Sequence, residues 1–312
     1  TIVICTITSL TVLLSGLPRT ASAAYPDRPV TIIIPFGPGG AVDIAARILA
    51  EYFQNKHQIT LNIVCKAGGA GAPDGYTFGF PAIATFSTTP QIKKTGYTLA
   101  DFRAVVQVTN MWLSLAVNAD SGIKTINELM AAAKATPGKY NYATHGALST
   151  QRLFMSRLLK AFPGVDLPHV SYTSGHEVST ALLGRHVTSG FGVTTNQKPY
   201  VLSGDFTMIG VSSPERLAEF PDVPTFAEQI GPEYTFASSH GLVAPKRVPE
   251  DRILTMQNLV KEALADPDVQ AKFAKVNMTT NYLPADEFGK VIEGYYKLFE
   301  EPIRKAKEAE KK

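Results

Sequence analysis

Apolar runs and helical patterns alternate along most of the chain. The segment VTIIIPF at residues 30–36 is apolar at almost every position, which is typical of a parallel strand buried on both faces. Ile44, Ile48, Leu49 and Tyr52 then recur at the spacing of one helix face. Further strand patterns are ITLNIVC, YTFGFPA and FRAVVQVTNMWLSLAVN, the last of them long enough for one or two strands. The pattern predicts a β-α series in the first third of the chain.

A second β-α series begins after one well-marked helix. That helix is TINELMAAAKA, with Thr125 as N-cap, Glu128 completing a capping box, and Pro137 and Gly138 ending it. The strand patterns that follow are KYNYAT, DLPHVSY, HVTSGFGV, FTMIGVSS and SSHGLVAP, and the helix patterns are STQRLFMSRLLKAF, EVSTALLG and EDRILTMQNLVKEALAD. Two more helical segments close the chain. The alternation predicts an α/β protein with mostly parallel sheets, in two lobes with a cleft at the strand carboxyl ends.

The composition is that of an ordinary globular protein. The 312 residues are 45% hydrophobic and 18% charged, which is too polar for a multi-span membrane protein. The formal net charge of +3 gives no electrostatic reason to expect a nucleic-acid partner. No internal disulfide is expected, because Cys5 lies in the leader and leaves Cys65 alone, as a buried structural thiol.

The first segment predicts export. Residues 1–24 hold an interrupted apolar run that ends in small residues, and Ala21-Ser22-Ala23 has the form of a signal-peptidase site. We therefore expect a signal peptide over residues 1–24 and a periplasmic location. The alternative is an N-terminal membrane anchor, although the run is short for a bilayer span.

Motifs for common catalytic chemistry are absent from the sequence. There is no G-x-S-x-G, C-x-x-C, H-E-x-x-H or Walker A pattern, and the six His residues have no metal-ligand spacing. The turn Gly37-Pro38-Gly39-Gly40 approaches a dinucleotide-binding loop. Val42 takes the place of its last glycine, however, and no acid closes the second strand pattern. We expect no enzymatic activity, no cofactor and no metal.

Three loops of small residues nevertheless join a strand pattern to a helix pattern. Exposed N–H groups at a helix start attract an anion, so these loops suit a carboxylate. Their candidate residues are Phe36, Gly37, Gly39, Gly40, Ala41 and Asp43 in the first loop; Thr144, His145, Gly146, Ala147, Ser149 and Thr150 in the second; and Tyr172, Thr173, Ser174 and Gly175 in the third. Two interpretations stay open. Asp43 either complements its helix dipole or contacts the ligand, and Ser149 and Thr150 either cap a helix or donate to the ligand.

Segments in a fixed order carry a family resemblance. They are YPDRPVTIIIPFGPGGAVDIAARILAE, PDGYTF, KTINELMAAAKATPGKYNYAT, LPHVSYTSG, ALLGRHV, FPDVPTFAEQIGPEY, GLVAPKRVPEDRI and ALADPDVQAKFAK. Together they span nearly all of residues 25–300. The chain resembles the substrate-binding proteins of tripartite tricarboxylate transporters, the TctC or Bug family.

The resemblance implies a fold and a function. The fold would be periplasmic binding protein type II-like, with two α/β lobes that close on a ligand about a hinge. The lobes would be residues 25–117 with 241–312, and residues 118–240, with the hinge near residues 115–118 and 239–243. A monomer would bind a small carboxylate through the three loops, by backbone N–H groups, hydroxyls and ordered water. It would deliver this ligand to the membrane permease subunits, without ATP or a metal of its own.

The sequence departs from the family pattern in three places. The family usually has a whole helix before PDGYT, whereas only KAGGAGA stands there in this chain. Thr188 replaces a frequent Asp, and His145 and Leu148 replace smaller or amide residues. A His at this position would add a hydrogen bond, or a charge near pH 6.5, and a Leu would favour a partly apolar ligand.

Two alternatives to a transport receptor remain at the level of the sequence. An extracytoplasmic sensor would use the same fold and pass its ligand signal to a partner protein. An α/β enzyme on a related scaffold would show turnover, against which the lack of a catalytic set argues.

Overall fold

A computed structural model describes residues 25–35, 38–39, 41–66, 71–146, 149–276 and 278–309. The predicted signal peptide, residues 1–24, lies outside these ranges. The strands are β1 (Val30–Ile34), β2 (Leu61–Cys65), β3 (Thr77–Gly79), β4 (Phe102–Asn118), β5 (Tyr142–His145), β6 (His169–Tyr172), β7 (Ser189–Val193), β8 (Phe206–Val211), β9 (Ala237–Pro245) and β10 (Thr279–Pro284). The helices are α1 (Ala41–His57), α2 (Ala84–Ser87), α3 (Thr89–Ile92), α4 (Ile126–Ala135), α5 (Thr150–Leu159), α6 (Gly175–Leu183), α7 (Thr194–Leu202), α8 (Phe226–Ile230), α9 (Glu250–Ala265), α10 (Pro267–Lys275) and α11 (Ala285–Ala309).

The long strand β4 joins two sheets. Its first part pairs with β9 and β10 in a sheet ordered β2-β1-β3-β9-β4, which we call the first sheet. Its last part, from Leu113, pairs with β7 and β8 in a sheet that continues through β5 to β6, which we call the second sheet. The prediction of one or two strands over residues 102–118 is therefore met by a single strand that serves both sheets.

The prediction of mostly parallel sheets is wrong. Pairing is parallel among β2, β1 and β3 and among β6, β5 and β7. Every pair that includes β4 or β9 is antiparallel. Pairing direction depends on which distant strands become neighbours, and local alternation of helices and strands does not record this.

The strand directions bring the two parallel sets toward one place. Strands β1 and β3 run in the same direction as β4, because β3 is antiparallel to β9 and β9 is antiparallel to β4. Strands β5, β6 and β7 run against β4. The first sheet pairs with β4 as far as Trp112, and β7 ends opposite Leu113. The carboxyl ends of both sets therefore point toward the middle of β4, the kind of place where open α/β sheets bind ligands.

Each sheet packs on its own apolar core. In the first sheet Ile32, Ile34 and Phe78 pack with α1, α9 and α10. In the second sheet Leu115 and Phe191 pack with α4, α5 and α8. Helix α11 contributes to both sides, because Phe288 and Ile292 pack near Val243 whereas Phe299 and Ile303 pack near Phe154. Cys65 is partly rather than fully buried.

Two elements were missed by the sequence patterns. Strand β10 pairs with β4 over the polar stretch TTNYLP, between the two closing helices that were predicted. Helix α7 contains Pro199, which argues against a helix when only sequence is considered. The Thr125 N-cap is confirmed, since its hydroxyl accepts from Glu128 N at 3.1 Å, but the Glu128 carboxylate accepts from Lys124 N instead of completing the box.

Candidate functional site

The first predicted loop follows β1 at the carboxyl edge of the first sheet. Phe36, Gly37 and Gly40 lie outside the described residues, and of Ala41 only the backbone, at the first turn of α1, is described. Gly39 adopts φ +80°, a conformation that L side chains rarely take. Its N–H donates to Asp43 Oδ2 at 2.8 Å, so this loop amide already has an acceptor within the protein.

Asp43 fastens this loop to the sheet. Its side chain is only 3% exposed, Arg47 Nε lies 3.0 Å from its carboxylate, and Cys65 Sγ donates to Oδ1 at 3.6 Å. The Arg47 guanidinium, and after it the Gly39 N–H, holds the pKa of Asp43 below its usual value against the effect of burial. Burial and the neighbouring carboxylate raise the pKa of Cys65, so its thiol stays protonated. These contacts give Asp43 a structural role in the loop, and they test neither of its two interpretations, helix-dipole complementation and ligand contact.

The second and third loops are neighbours. Strands β5 and β6 are parallel, with His145 opposite Tyr172, and Gly146 N donates to Tyr172 O at 2.8 Å. Gly146 has φ +75° and turns the chain toward α5. Ser149 is the N-cap of α5, where its Oγ accepts from Arg152 N at 3.2 Å, and Thr150 is the first helical residue. Ala147, like Leu148, lies outside the described residues.

The third loop satisfies several of its own donors. Ser174 caps α6 by accepting from Glu177 N at 3.2 Å, and the Thr173 N–H and hydroxyl both donate to the Glu177 carboxylate. These two bonds from Thr173 hold the pKa of Glu177 below its usual value. Sequence reasoning missed this acid, although Ser174 and Glu177 have the spacing of a capping box.

Buried donors and acceptors also set the properties of the second loop. Thr144 is fully buried, and its hydroxyl lies 2.8 Å from His169 Nε2. Burial lowers the pKa of His145, so at neutral pH this ring adds hydrogen-bonding capacity rather than charge. Burial, and next the nearby Arg152, lowers the pKa of His169 to about 4.

Two more segments lie at the same edges and were not singled out from the sequence. The turn after β3 runs past β9, where Ala82 bridges to His240 and Ile83 N donates to Ser239 O at 2.8 Å. The start of α7 follows β7, between β4 and the second loop in the sheet order. Both segments follow strand patterns, YTFGFPA and HVTSGFGV. The end of each strand pattern is the signal that would have identified these two segments as site candidates.

Thr188, by contrast, lies at the amino end of β7 and away from the loops. Its Oγ1 donates to Asn141 O at 2.6 Å, and its N–H donates to Asn141 Oδ1 at 2.8 Å. The residue therefore joins the starts of β5 and β7. Within the described residues, no cluster of three His, Cys, Asp or Glu side chains is arranged to hold a metal ion.

A large cavity lies elsewhere, away from these loops. It measures about 890 Å³ and lies between α9, α11 and the start of β4, over an apolar floor that includes Phe86, Phe102 and Ile292. This groove holds the Arg103–Glu250 ion pair and none of the predicted loop residues. We favour the loops as the candidate site, because oriented polar donors fix a small anion and an apolar groove does not.

Comparisons with known proteins agree with this architecture. The family model "Tripartite tricarboxylate transporter family receptor", TctC, matches residues 54–306. The chain is 31% identical over 286 residues to the "UPF0065 protein in gbd 5'region" of Cupriavidus necator, covering 88% of this chain and 86% of that protein. It is 28% identical over 281 residues to Protein BugT of Bordetella pertussis, covering 85% of each.

Solved structures share the fold. A TctC solute binding protein from Polaromonas, without ligand, superposes with a TM-score of 0.80 at 24% identity, covering 90% of this chain and 99% of that one. MatC from Rhodopseudomonas palustris with bound malate gives 0.68 at 22%, covering 89% and 100%. A second R. palustris protein, with adipate, gives 0.73 at 22%, covering 90% and 97%.

These matches support three of the expectations: the fold, the receptor class and the family. The fold is periplasmic binding protein type II-like, as predicted. The matched family is one of receptors, in line with the expectation that the chain is not an enzyme. Among residues 25–309 that the structure describes, none of the helices has the length and apolar character that a bilayer crossing requires. The chain belongs to the tripartite tricarboxylate transporter receptor family, TctC.

Proposed function

We propose that this protein is a periplasmic, exported solute-binding protein that captures a small carboxylate between two lobes and delivers it to a tripartite tricarboxylate-type permease. One observation carries the proposal: the carboxyl ends of two sets of parallel strands point toward the middle of β4, where α1 follows β1 and where α5, α6 and α7 follow β5, β6 and β7. Helix starts on both sides of a cleft offer N–H groups to the two ends of an anion.

The chemistry of the loops also favours an anion bound by neutral donors. The candidate residues include no Lys or Arg. Thr144 and Thr173 already bond to His169 and Glu177, so the proposed donors are the remaining backbone N–H groups, the other hydroxyls of the loops and the His145 ring. Malate and adipate are the ligands of two of the structural neighbours, and both are dicarboxylates.

Closure between the lobes would couple capture to delivery. We propose lobes over residues 25–117 with 241–312 and over residues 118–240, with a hinge near residues 115–118 and 239–243. Strand β4 pairs with the first sheet up to Trp112 and with the second sheet from Leu113, which supports two lobes that meet a few residues before the proposed boundary. A ligand that contacts both lobes binds the closed form more tightly, and the permease would recognise that form.

A ligand screen tests the proposal. The purified protein is melted with citrate, malate, succinate, adipate, aspartate, glutamate, terephthalate and nicotinate, and the hits are titrated by calorimetry. A ligand at a hundred times its Kd stabilises the folded state by about 2.7 kcal/mol, which is a clear shift in Tm. Succinamide, which has the shape of succinate without its charge, is the control and is expected to produce no shift. A cooperative melt that no carboxylate raises would contradict the proposal.

A further inference from the structure

The start of α7 differs from the starts of α5 and α6. Ser149 and Ser174 cap those two helices with side-chain hydrogen bonds, whereas the N-cap residue of α7 is Val193, which makes none. The hydroxyl of Thr194 does not replace it, because this group donates to Trp112 O at 2.6 Å. Among the residues that the structure describes, the first N–H groups of this nine-residue helix therefore have no capping side chain.

An amide side chain nearby is held in one orientation. Asn110 is 8% exposed, and its Oδ1 accepts from Gln107 Nε2 at 3.1 Å and from Ser239 Oγ at 2.7 Å. Gln107 and Asn110 reach each other because the β4–β9 register shifts between Gln107 and Thr109. With its oxygen engaged twice, Asn110 leaves Nδ2 as a donor for which the described residues provide no acceptor.

The hydrogen-bond network also decides which way this amide points. The present orientation leaves one buried acceptor, Gln107 Oε1, without a partner. Turning both amides over would leave the Gln107 nitrogen without a partner instead, and an unpaired buried N–H donor is the rarer and costlier defect. The orientation with Asn110 Nδ2 free is therefore favoured.

A small cavity joins Asn110 to the start of α7. It measures about 40 Å³, and its lining includes Asn110, Trp112, Thr194 and Thr195. Since a cavity needs roughly 10–15 Å³ to hold one water, this space admits a small polar group. The charged residues of its wall are Lys198 and Glu219, which form an ion pair with each other.

The cavity continues the row of predicted loops. Strand β7 lies between β4 and β5, so its carboxyl end is closer to the middle of β4 than the second loop is. The α7 start also touches the third loop, because a Cβ added to Gly175 would lie 2.0 Å from Asn196 Nδ2. The start of α7, which lines the cavity, therefore adjoins the third loop.

We propose that this cavity is the subsite for the second carboxylate of a dicarboxylate ligand. Asn110 Nδ2 and the uncapped N–H groups of α7 donate to that carboxylate, and the helix dipole favours its negative charge. The Lys198–Glu219 pair adds no net charge to the wall. This inference rests on the proposed function and assigns the ligand to the dicarboxylate class.

The test places a carboxylate of the protein itself in the subsite. Thr195→Asp adds an acid at the second residue of α7, where it stabilises the helix start and competes with the ligand. Asn127→Asp is the matched control, because it adds the same charge at the second residue of α4, after the Thr125 cap and at an exposed position. Asn110→Asp is a second variant, which keeps both accepted hydrogen bonds and replaces the free donor by an acceptor.

The probes are two matched pairs: adipate with hexanoate, and malate with 3-hydroxybutyrate. In each pair a methyl group replaces one carboxylate. Affinities are measured by calorimetry and by the fluorescence of Trp112, the chain's single Trp, which lines the cavity. We expect Thr195→Asp to fold with an unchanged or higher Tm and to bind the dicarboxylates about ten- to a hundredfold more weakly, the cost of charge-assisted hydrogen bonds.

The controls separate this inference from the proposed function. The monocarboxylates should bind Thr195→Asp within about threefold of wild type, and Asn127→Asp should bind both classes normally. Dicarboxylate affinity that survives in both Thr195→Asp and Asn110→Asp would overturn the subsite while the proposed function stands. An equal loss for both classes of probe would also overturn it. If no carboxylate binds the wild type, the proposed function fails and the subsite fails with it.

Discussion

The two sets of parallel strands have the same order and different support. In the first set β1 lies between β2 and β3, and in the second set β5 lies between β6 and β7. Helix α6 connects β6 to β7 and packs Val178 and Leu182 on the second sheet. The described residues 71–76 between β2 and β3 contain no helix, and Val64 on β2 is 36% exposed. In the family pattern a helix precedes PDGYT, and such a helix would cover the face of β2 that exposes Val64.

The comparison separates what the strand order requires from what the helices add. Three parallel strands form in both sets, with a helix in the second connection of one set and none in the described part of that connection in the other. The strand turns are fixed by different means, since the turn after β1 is fastened by the buried Asp43 carboxylate, whereas Ser149 and Ser174 cap the helices after β5 and β6. Substitutions in the two sets of strands should therefore lower the free energy of unfolding by different amounts, which denaturation can measure.

The largest expected difference concerns the helix itself. Leu182 is 1% exposed under α6, so Leu182→Ala should lower the free energy of unfolding by about 3 kcal/mol, through lost burial and the cavity that remains. Val64→Ala should cost less than about 1 kcal/mol, because that side chain already contacts water. Urea denaturation of both variants measures the two values, and equal costs would show that another part of the protein covers Val64.

The buried carboxylate of the first set is the next most sensitive position. Asp43→Ala should cost about 2–3 kcal/mol, because Gly39 N–H and the Arg47 and Cys65 side chains lose their shared acceptor. Arg47→Ala is the control and should cost under about 1 kcal/mol, since the Arg47 side chain is 59% exposed. Denaturant titration gives both numbers, and a neutral Asp43→Ala would argue that the carboxylate does not fasten the loop.

Acid should affect the second set first. The pKa of His169 is lowered to about 4 in the folded protein, whereas in the unfolded chain the same ring takes up a proton near pH 6.5. Between these two pH values the unfolded chain therefore binds more protons than the folded protein. This contribution is complete above pH 6.5, decreases as the pH falls toward 4, and amounts to roughly 1–2 kcal/mol after allowance for partial exposure. The pKa of Asp43 is lowered, so its contribution is lost only at more acidic pH, below about 4.

Melting curves between pH 4.5 and 7.5 test this order. His169→Gln keeps a partner for the Thr144 hydroxyl and removes the titrating ring, so its Tm should vary less with pH than that of the wild type. The buried His240 titrates in both proteins and so cancels in the difference. Identical pH profiles would mean that His169 protonates equally in the folded and unfolded chains.

Local sequence signals predicted one part of this picture and not the other. Apolar runs and cap residues predicted β1, β5, β6 and the starts of α4 and α5, because burial and capping depend on neighbours along the chain. The double use of β4, the pairing of β10 and the contact between Gly39 and Asp43 depend on partners or backbone angles that no local pattern records. Within the three loops, the residue types predicted helix starts correctly. They did not predict that Asp43 and Glu177 already accept from the amides of Gly39 and Thr173.

The smallest expected effect concerns the hydroxyl caps of the second set. Ser149→Ala and Ser174→Ala should each cost about 1 kcal/mol, because each removes the acceptor of one helix-start N–H. Ser156→Ala, at an exposed position inside α5, is the control and should change stability by less than about 0.5 kcal/mol. Carboxylate affinity then distinguishes the two interpretations of Ser149. A hydroxyl that only caps α5 leaves affinity unchanged once the Ala variant is folded, whereas a hydroxyl that also donates to the ligand lowers affinity more than stability.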